Sequence, residues 1–244
     1  MKTVAKWRSE RLQREVTMVR WGTYGQPVLV FPTAGGDAEE IERMHLVGAV
    51  GGLIETGKIK VYSCDSVAGA ALLAREGSAQ HQMWLQNQFQ HYVRHEVVAA
   101  IRSDCKADLE VWAAGASIGA FHAIAVVCRW PDVFARACAM SGTYDLRRFY
   151  DTGEFTDDFW VSSPVHFVPT LAGVHLEKLR ERYLVMPSGE GRAEDIGESF
   201  RMADALGKQG VPNRVDNWGP SFHHDWPTWR QMLPKFLEEW TRAT

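Results

Sequence analysis

Residues 111–120 read Val-Trp-Ala-Ala-Gly-Ala-Ser-Ile-Gly-Ala, and this stretch decides the fold. Its apolar start predicts a buried strand, which passes into the pattern Gly-x-Ser-x-Gly at residues 115–119 and then into a helix-compatible segment. Between a strand and a helix, this pattern is typical of a sharp turn that presents a serine hydroxyl at the end of a sheet. The small residues on either side leave room for the strained backbone of the turn. We therefore expect Ser117 to act as a nucleophile, which requires a base, an acid and an oxyanion hole elsewhere in the chain.

Strands and helices alternate on both sides of this turn. Predicted strands cover residues 28–31, 58–64, 109–114, 135–140, 182–186 and 213–218, with antiparallel strands within 10–22. Predicted helices cover residues 38–50, with Asp37 as N-cap, then 80–101, a segment from Ser117 to about 130, 198–209 and 226–242. The alternation predicts an α/β fold with a mostly parallel central sheet and helices on both faces. We expect one domain over residues 1–244, with the aromatic, aperiodic segment 146–176 as a short irregular cap insertion.

The composition argues against several classes of function. The 244 residues are 45% hydrophobic and 23% charged, with a net charge of −3, so we expect neither nucleic acid nor a membrane surface as partner. The first residues lack the apolar stretch of a signal peptide, and no run is long enough to span a bilayer. The four cysteines are widely spaced and are expected to be free thiols of a cytoplasmic protein. The sequence leaves open whether the chain forms a homo-oligomer.

No pattern in the chain indicates a metal or a cofactor. The sequence has neither a His-Glu-x-x-His motif nor a paired Cys/His set, so we expect no metal site. Gly35-Gly36 lacks the lysine of a phosphate-binding loop, and no dinucleotide-binding glycine pattern follows a strand.

Two histidines follow the last predicted strand, at the sheet edge where function gathers in α/β folds. One imidazole can remove the proton of Ser117 and return it to the leaving group. We favour His224 as this base. His223 is then expected to face solvent or to support the site, and Asp225 to begin the last helix.

The acid that orients the base is expected in the loop after residues 182–186, which holds Glu190, Glu194 and Asp195. Asp195 is placed to cap the following helix. The spacing alone does not choose between Glu190 and Glu194.

An oxyanion hole needs two backbone N–H groups aimed at the developing negative charge. One is expected from Ile118, the residue after the nucleophile. The other is expected from Ala34 or Gly35, in the glycine-containing loop after the strand at 28–31.

With these residues in hand, the chain resembles the esterase D-like esterase family of α/β-hydrolases, which also includes feruloyl esterases and mycolyltransferases. The resemblance covers nearly the whole chain and rests on residues 28–37, 115–119, 189–194 and 224–230. It implies Ser117 as nucleophile and His224 as base. In similar sequences a Gly-x-Gly-x-x-Glu run ends on the acid, which implies Glu194, with Glu190 as second choice. Ala116 departs from the bulkier His or Tyr that often precedes the serine, which leaves the substrate preference open.

Together these residues predict a serine carboxylic-ester hydrolase that forms an acyl-enzyme and acts on a small-molecule or oligomeric ester. The same triad would serve an acyltransferase or a polyester depolymerase, and a third reading is a non-catalytic hydrolase-like binding protein. The aromatic residues of 149–160, with Trp84 and Trp226, are expected to shape an apolar acyl pocket.

Overall fold

Strands and helices alternate in the structure as the sequence predicts. The computed structural model describes residues 1–242. The strands in this range are β1 (Lys2–Arg8), β2 (Glu15–Trp21), β3 (Gln26–Phe31), β4 (Ile59–Cys64), β5 (Val111–Ala116), β6 (Phe134–Met140), β7 (Tyr183–Gly189) and β8 (Asn213–Gly219). The helices are α1 (Glu40–Arg43), α2 (Leu46–Ala49), α3 (Gly51–Glu55), α4 (Val67–Ala74), α5 (Ala79–Tyr92), α6 (Val98–Cys105), α7 (Ile118–Arg129), α8 (Asp157–Ser162), α9 (Pro164–Phe167), α10 (Gly173–Arg180), α11 (Ile196–Lys208) and α12 (Trp226–Arg242).

The strands form one sheet in the order β1-β2-β4-β3-β5-β6-β7-β8. The pairs from β4 through β8 are parallel, and β1 and β2 add an antiparallel edge. Every residue of β4 and β5 is buried, as expected for strands covered on both faces. This is the α/β-hydrolase architecture, and it brings the carboxyl ends of β3, β5, β6, β7 and β8 to one edge.

Two apolar layers cover the two faces of the sheet. Successive residues of β5 point to opposite faces, so Ala113 joins the layer that contains α7 and Trp112 joins the layer that contains α12. Trp112 meets Trp240 of α12 edge to face, with ring centroids 5.3 Å apart. Several of the ten tryptophans thus build the core.

The single helix predicted over 38–50 is wrong, because two short helices, α1 and α2, replace it and α3 begins only at Gly51. His45 adopts a left-handed backbone conformation with φ 61° and separates α1 from α2. Asp37 does not cap α1, whose preceding residue is Glu39; the Asp37 carboxylate instead accepts a hydrogen bond from the Glu39 N–H at 2.9 Å. The long helix expected over 80–101 is present as α5, a π-helical turn at Val93–Val97 and α6.

The cap segment 146–176 is not uniformly irregular, since it contains α8, α9 and short 3-10 turns before α10 begins. It is anchored on α5 by side-chain hydrogen bonds. The Asn87 amide donates to Asp158 at 2.7 Å, and the Gln90 amide donates to the Ser162 carbonyl at 2.8 Å. The division into one domain with a cap insertion stays a prediction.

The four cysteines are free thiols, and three of them are buried. Within residues 1–242, no helix combines the length and the hydropathy needed to cross a bilayer. The cytoplasmic location stays a prediction.

Candidate active site

Ser117 stands between β5 and α7 with a backbone conformation that L-residues rarely adopt, φ 58° and ψ −120°. Such a conformation costs about 1–3 kcal/mol and persists only where the surrounding structure imposes it. A Cβ on Gly115 would lie 2.4 Å from the carbonyl of Gly119, and a Cβ on Gly119 would lie 2.6 Å from the Phe31 oxygen. Both glycines are therefore required for the turn, which leaves Ser117 half-buried at the sheet edge.

The loop after β3 runs beside this turn. The Thr33 N–H and hydroxyl both donate to the Glu40 carboxylate, each at 2.7 Å, and the Gly36 N–H donates to the Thr33 oxygen at 3.0 Å. Ala34 and Ile118 line the same cavity as Ser117, whereas Gly35 is not part of the lining. The two expected oxyanion donors from Ile118 and Ala34 are thus close to the serine, and their role stays a prediction.

Asp65, which follows β4, supports this loop from behind. Its carboxylate accepts the Thr17 N–H at 2.7 Å and the Ala38 N–H at 3.0 Å. In the sequence, only its position at the end of a predicted strand marks Asp65. Nothing in the sequence indicates the backbone N–H groups that its carboxylate binds.

The base and the acid meet at the ends of β8 and β7. The Nδ1 atom of His224 lies 3.7 Å from Oε2 of Glu194, within ion-pair distance. The Glu194 side chain is only 1% exposed, and that of His224 is 23% exposed. The structure therefore brings together the histidine and the glutamate that the family resemblance implies.

Two serines hold the Glu194 carboxylate in place. Ser141 Oγ donates to Oε1 at 2.6 Å, and Ser188 Oγ donates to Oε2 at 3.2 Å. The indole N–H of Trp229 in turn donates to Ser141 Oγ at 3.0 Å. Sequence reasoning assigned no role to these three residues, because only the folded sheet brings the ends of β6 and β7 and the start of α12 around one carboxylate.

Burial and polar contacts shift the pKa of Glu194 in opposite directions. Burial alone would raise the pKa of its carboxyl group, because it disfavours the charged form. The contact with His224 and the hydrogen bonds from Ser141 and Ser188 outweigh burial and hold the pKa of Glu194 below its ordinary value. The carboxylate is therefore charged at neutral pH.

The other acidic candidates face elsewhere. Glu190 is exposed and accepts a hydrogen bond from the Asn217 amide at 2.9 Å, away from His224. The Asp195 side chain accepts the Gly197 N–H at 3.1 Å and caps α11, as expected. Asp225 accepts the Trp226 N–H at 2.7 Å at the start of α12.

His223 does not take the place of the base. It is exposed, and its Nδ1 accepts the Arg192 N–H at 2.9 Å, which ties the loop after β8 to the loop after β7.

A cavity of about 280 Å³ opens beside Ser117. Its lining residues come from the β3 loop, α4, the serine turn and the start of the cap segment: Ala34, Gly69, Leu72, Leu73, Arg75, Ser117, Ile118, Thr143, Leu146, Arg148 and Phe149. The expected tryptophan lining is wrong, because Trp84 stacks on His81 and Trp226 packs against Trp229. Of the aromatic residues in 149–160, Phe149 lines the cavity, while Tyr150 and Phe159 are buried in a cluster below it.

No group of three His, Cys, Asp or Glu side chains within residues 1–242 is arranged to hold a metal ion.

A comparison with models of known protein families identifies a family for this chain. The model of a family described as "Putative esterase" matches residues 56–239. A search of curated protein sequences finds no match.

Several solved structures share the fold. A ferulic acid esterase superposes with a TM-score of 0.77 at 15% identity, covering 100% of this chain and 98% of that one. An S-formylglutathione hydrolase from Agrobacterium tumefaciens gives a TM-score of 0.74 at 14% identity, covering 99% and 95%. MPT51 from Mycobacterium tuberculosis gives 0.66 at 15% identity, covering 98% of each chain. At these identities the likeness establishes the fold alone.

Proposed function

Since the chain belongs to the esterase family and is an esterase, we propose that it cleaves carboxylic esters through an acyl-enzyme formed on Ser117. The observation that carries this proposal is the pairing of buried, charged Glu194 with His224 at the sheet edge where the strained turn presents Ser117. A charged carboxylate beside Nδ1 favours the imidazole tautomer with the proton on Nδ1, which leaves Nε2 free to accept the serine proton.

In the first half of the proposed reaction, Ser117 Oγ attacks the ester carbonyl while His224 Nε2 takes its proton. Glu194 stabilises the imidazolium that forms. The N–H groups of Ile118 and of Ala34 or Gly35 donate to the oxyanion. When the tetrahedral intermediate collapses, His224 gives its proton to the departing alkoxide, and the acyl group stays on Ser117.

In the second half, a water molecule replaces the alcohol. His224 removes a proton from that water as it attacks the acyl-enzyme, and then returns the proton to Ser117 Oγ as the acid leaves. Water as the acceptor makes the protein a hydrolase of small-molecule or oligomeric esters. An alcohol in the same position would make it a transferase.

The proposal is tested by labelling with a fluorophosphonate probe and by turnover of p-nitrophenyl acetate. We expect the wild type to label and to turn over the ester. Ser117→Ala should not label and should lose on the order of 10⁴-fold or more in kcat, because the nucleophile is gone. Ser103→Ala, which changes an exposed serine of α6, is the matched control and should behave like the wild type.

Equal labelling of Ser117→Ala would contradict the assignment of the nucleophile. A wild type that neither labels nor turns over any ester would instead favour a non-catalytic binding protein.

A further inference from the structure

The cavity beside Ser117 combines an apolar wall with two positive charges. Leu72, Leu73 and Leu146 contribute the apolar wall. Arg75 and Arg148 line the same cavity, and both are exposed to solvent. An apolar cavity suits a hydrocarbon group of the substrate, but it does not account for two guanidinium groups at its opening.

Neither guanidinium forms an ion pair in the part of the chain that the structure describes. Twenty ion pairs connect residues within 1–242, and none of them includes Arg75 or Arg148. Arg148 lies over the ring of Phe149, with the guanidinium carbon 5.0 Å from the centroid, so it is placed against the cavity wall.

Three carboxylates nearby are already engaged by other arginines. Glu76, next to Arg75 in sequence, pairs with Arg14 at 3.0 Å. The other two, Asp145 and Glu198, share a neighbouring cavity with Arg148 but pair with Arg147 and Arg201.

The side-chain hydrogen bond from Arg147 also lowers the pKa of Asp145 to about 2, so this carboxylate is committed to its own partner. One further acid, Asp151, borders a second cavity that Arg75 also lines, and it forms no ion pair within residues 1–242. The two unpaired arginines outnumber this one unpaired carboxylate, so the net charge around the opening is positive.

We propose that the esterase selects esters that carry an anionic group, separated from the ester carbonyl by a short apolar spacer, and that Arg75 and Arg148 bind this anion. The proposal rests on the proposed function and names its substrate class. A guanidinium offers a planar fork of N–H donors that matches a carboxylate or a phosphate. Two unpaired cations at the opening of a low-dielectric cavity also raise the local concentration of anions. The leucines then contact the spacer between the anion and the ester.

The test compares anionic esters with neutral amides of the same shape, with the charge on either side of the ester bond. For the acyl side the pair is mono-p-nitrophenyl adipate and p-nitrophenyl adipamate. For the alcohol side the pair is 4-acetoxybenzoate and 4-acetoxybenzamide. The measured quantity is the ratio of kcat/KM for the anion to that for the amide, and the arm with the high ratio identifies which part of the substrate occupies the cavity.

We expect the wild-type ratio to exceed about 10 in one arm, since charge-assisted hydrogen bonds remain substantial at a partly exposed site. Arg75→Gln and Arg148→Gln should each lower that ratio by about 3- to 10-fold, and the double variant should bring it near 1. Arg8→Gln, which removes an exposed and unpaired arginine of the edge strand β1, is the charge-matched control and should leave the ratio unchanged. Raising the salt to 0.5 M should lower the wild-type ratio, because solvent-exposed charges are screened.

A second measurement does not depend on turnover. Binding of monomethyl adipate and of methyl adipamate to Ser117→Ala is followed by calorimetry, with and without Arg75→Gln and Arg148→Gln. The anion preference would be overturned if two results were found together. The anion-to-amide ratio of kcat/KM would be equal in the wild type and the double variant for both substrate pairs, and Ser117→Ala would bind the anion and the amide equally. This conclusion would hold even if neutral esters are hydrolysed. Preferential binding of the anion without hydrolysis of any ester would uphold the anion site and reject the proposed function.

Discussion

Two glutamates in one loop have opposite environments, although only three residues separate them. Gly189 and Gly191 let the chain after β7 pass against the loop after β8, since a Cβ on Gly189 would lie 2.0 Å from the Phe222 oxygen and one on Gly191 2.1 Å from His223 Nδ1. This close approach leaves Glu190 on the outside and turns Glu194 inward. Sequence spacing could not separate the two, because the choice depends on how two loops distant in sequence pack together. The family resemblance did point to Glu194.

At the residue scale, we expect Glu194→Gln to lower kcat/KM for p-nitrophenyl acetate on the order of 10³- to 10⁴-fold, because a neutral amide cannot stabilise the imidazolium of His224. Glu190→Gln removes an exposed carboxylate and should change the rate by less than about 3-fold. Circular dichroism of both variants checks that the fold is retained. A similar loss from the two variants would reject Glu194 as the acid.

Among secondary-structure elements, the packing of α7 on β3 decides the geometry of the site. Gly119 lies against the Phe31 and Pro32 oxygens at the end of β3, where the expected oxyanion loop begins. A side chain at residue 119 would push α7 away from β3 and would separate the Ile118 N–H from the Ala34 loop.

We expect Gly119→Ala to destabilise the protein by about 2–4 kcal/mol and to lower kcat, because its Cβ meets backbone oxygens that have no room to move. Gly207→Ala in α11 is the matched control. Nothing lies within 4 Å of a Cβ at that position, so the same substitution should stabilise the helix by about 0.5–1 kcal/mol. Urea unfolding followed by fluorescence measures both changes. A stable and fully active Gly119→Ala would show that the close approach is not required.

The elements that the sequence predicted well are those whose own residues determine them. β3 and β5 are short apolar runs between turn residues, and α12 repeats apolar residues at helical spacing. β1 was missed because its side chains are mostly exposed and carry charges, so hydrophobicity does not mark it. The short helices of the cap segment were missed because contacts with α5, rather than periodicity, hold them. For the site, the sequence predicted residue types at strand ends, whereas the hydrogen bonds of the serines that hold Glu194 depend on the folded sheet.

At the scale of the whole molecule, two histidines, one buried and one half-buried, are held in their neutral form. His122 of α7 is fully enclosed by Phe31, Phe89 and Phe121, and burial lowers its pKa to about 3. Burial also lowers the pKa of His91 to about 4. Below pH 6.5 these histidines bind protons in the unfolded chain but stay neutral in the folded one. Their contribution to the free energy of unfolding is therefore present at neutral pH and is lost as the pH falls.

We therefore expect the free energy of unfolding to fall between pH 7 and pH 5, with His122 alone accounting for about 2 kcal/mol of the loss. His122→Leu should reduce the difference between the two pH values by that amount. Gln86→Leu removes the same 3.3 Å contact with His122 Nδ1 but keeps the imidazole, so it should retain the wild-type pH dependence. Urea titrations at both pH values measure the effect. An unchanged pH dependence in His122→Leu would show that this histidine is not the source.

The strained turn at Ser117 lowers the stability of the fold at the residue on which the proposed activity depends. Glycine adopts a positive φ without the penalty that a Cβ imposes, so the backbone at residue 117 would be more relaxed if the serine were lost. The folded chain thus carries a permanent energetic cost at the one side chain through which we propose that its chemistry proceeds. Selection for thermostable variants of this protein would favour the substitution that removes its nucleophile. Such variants must therefore be screened for turnover as well as for melting temperature.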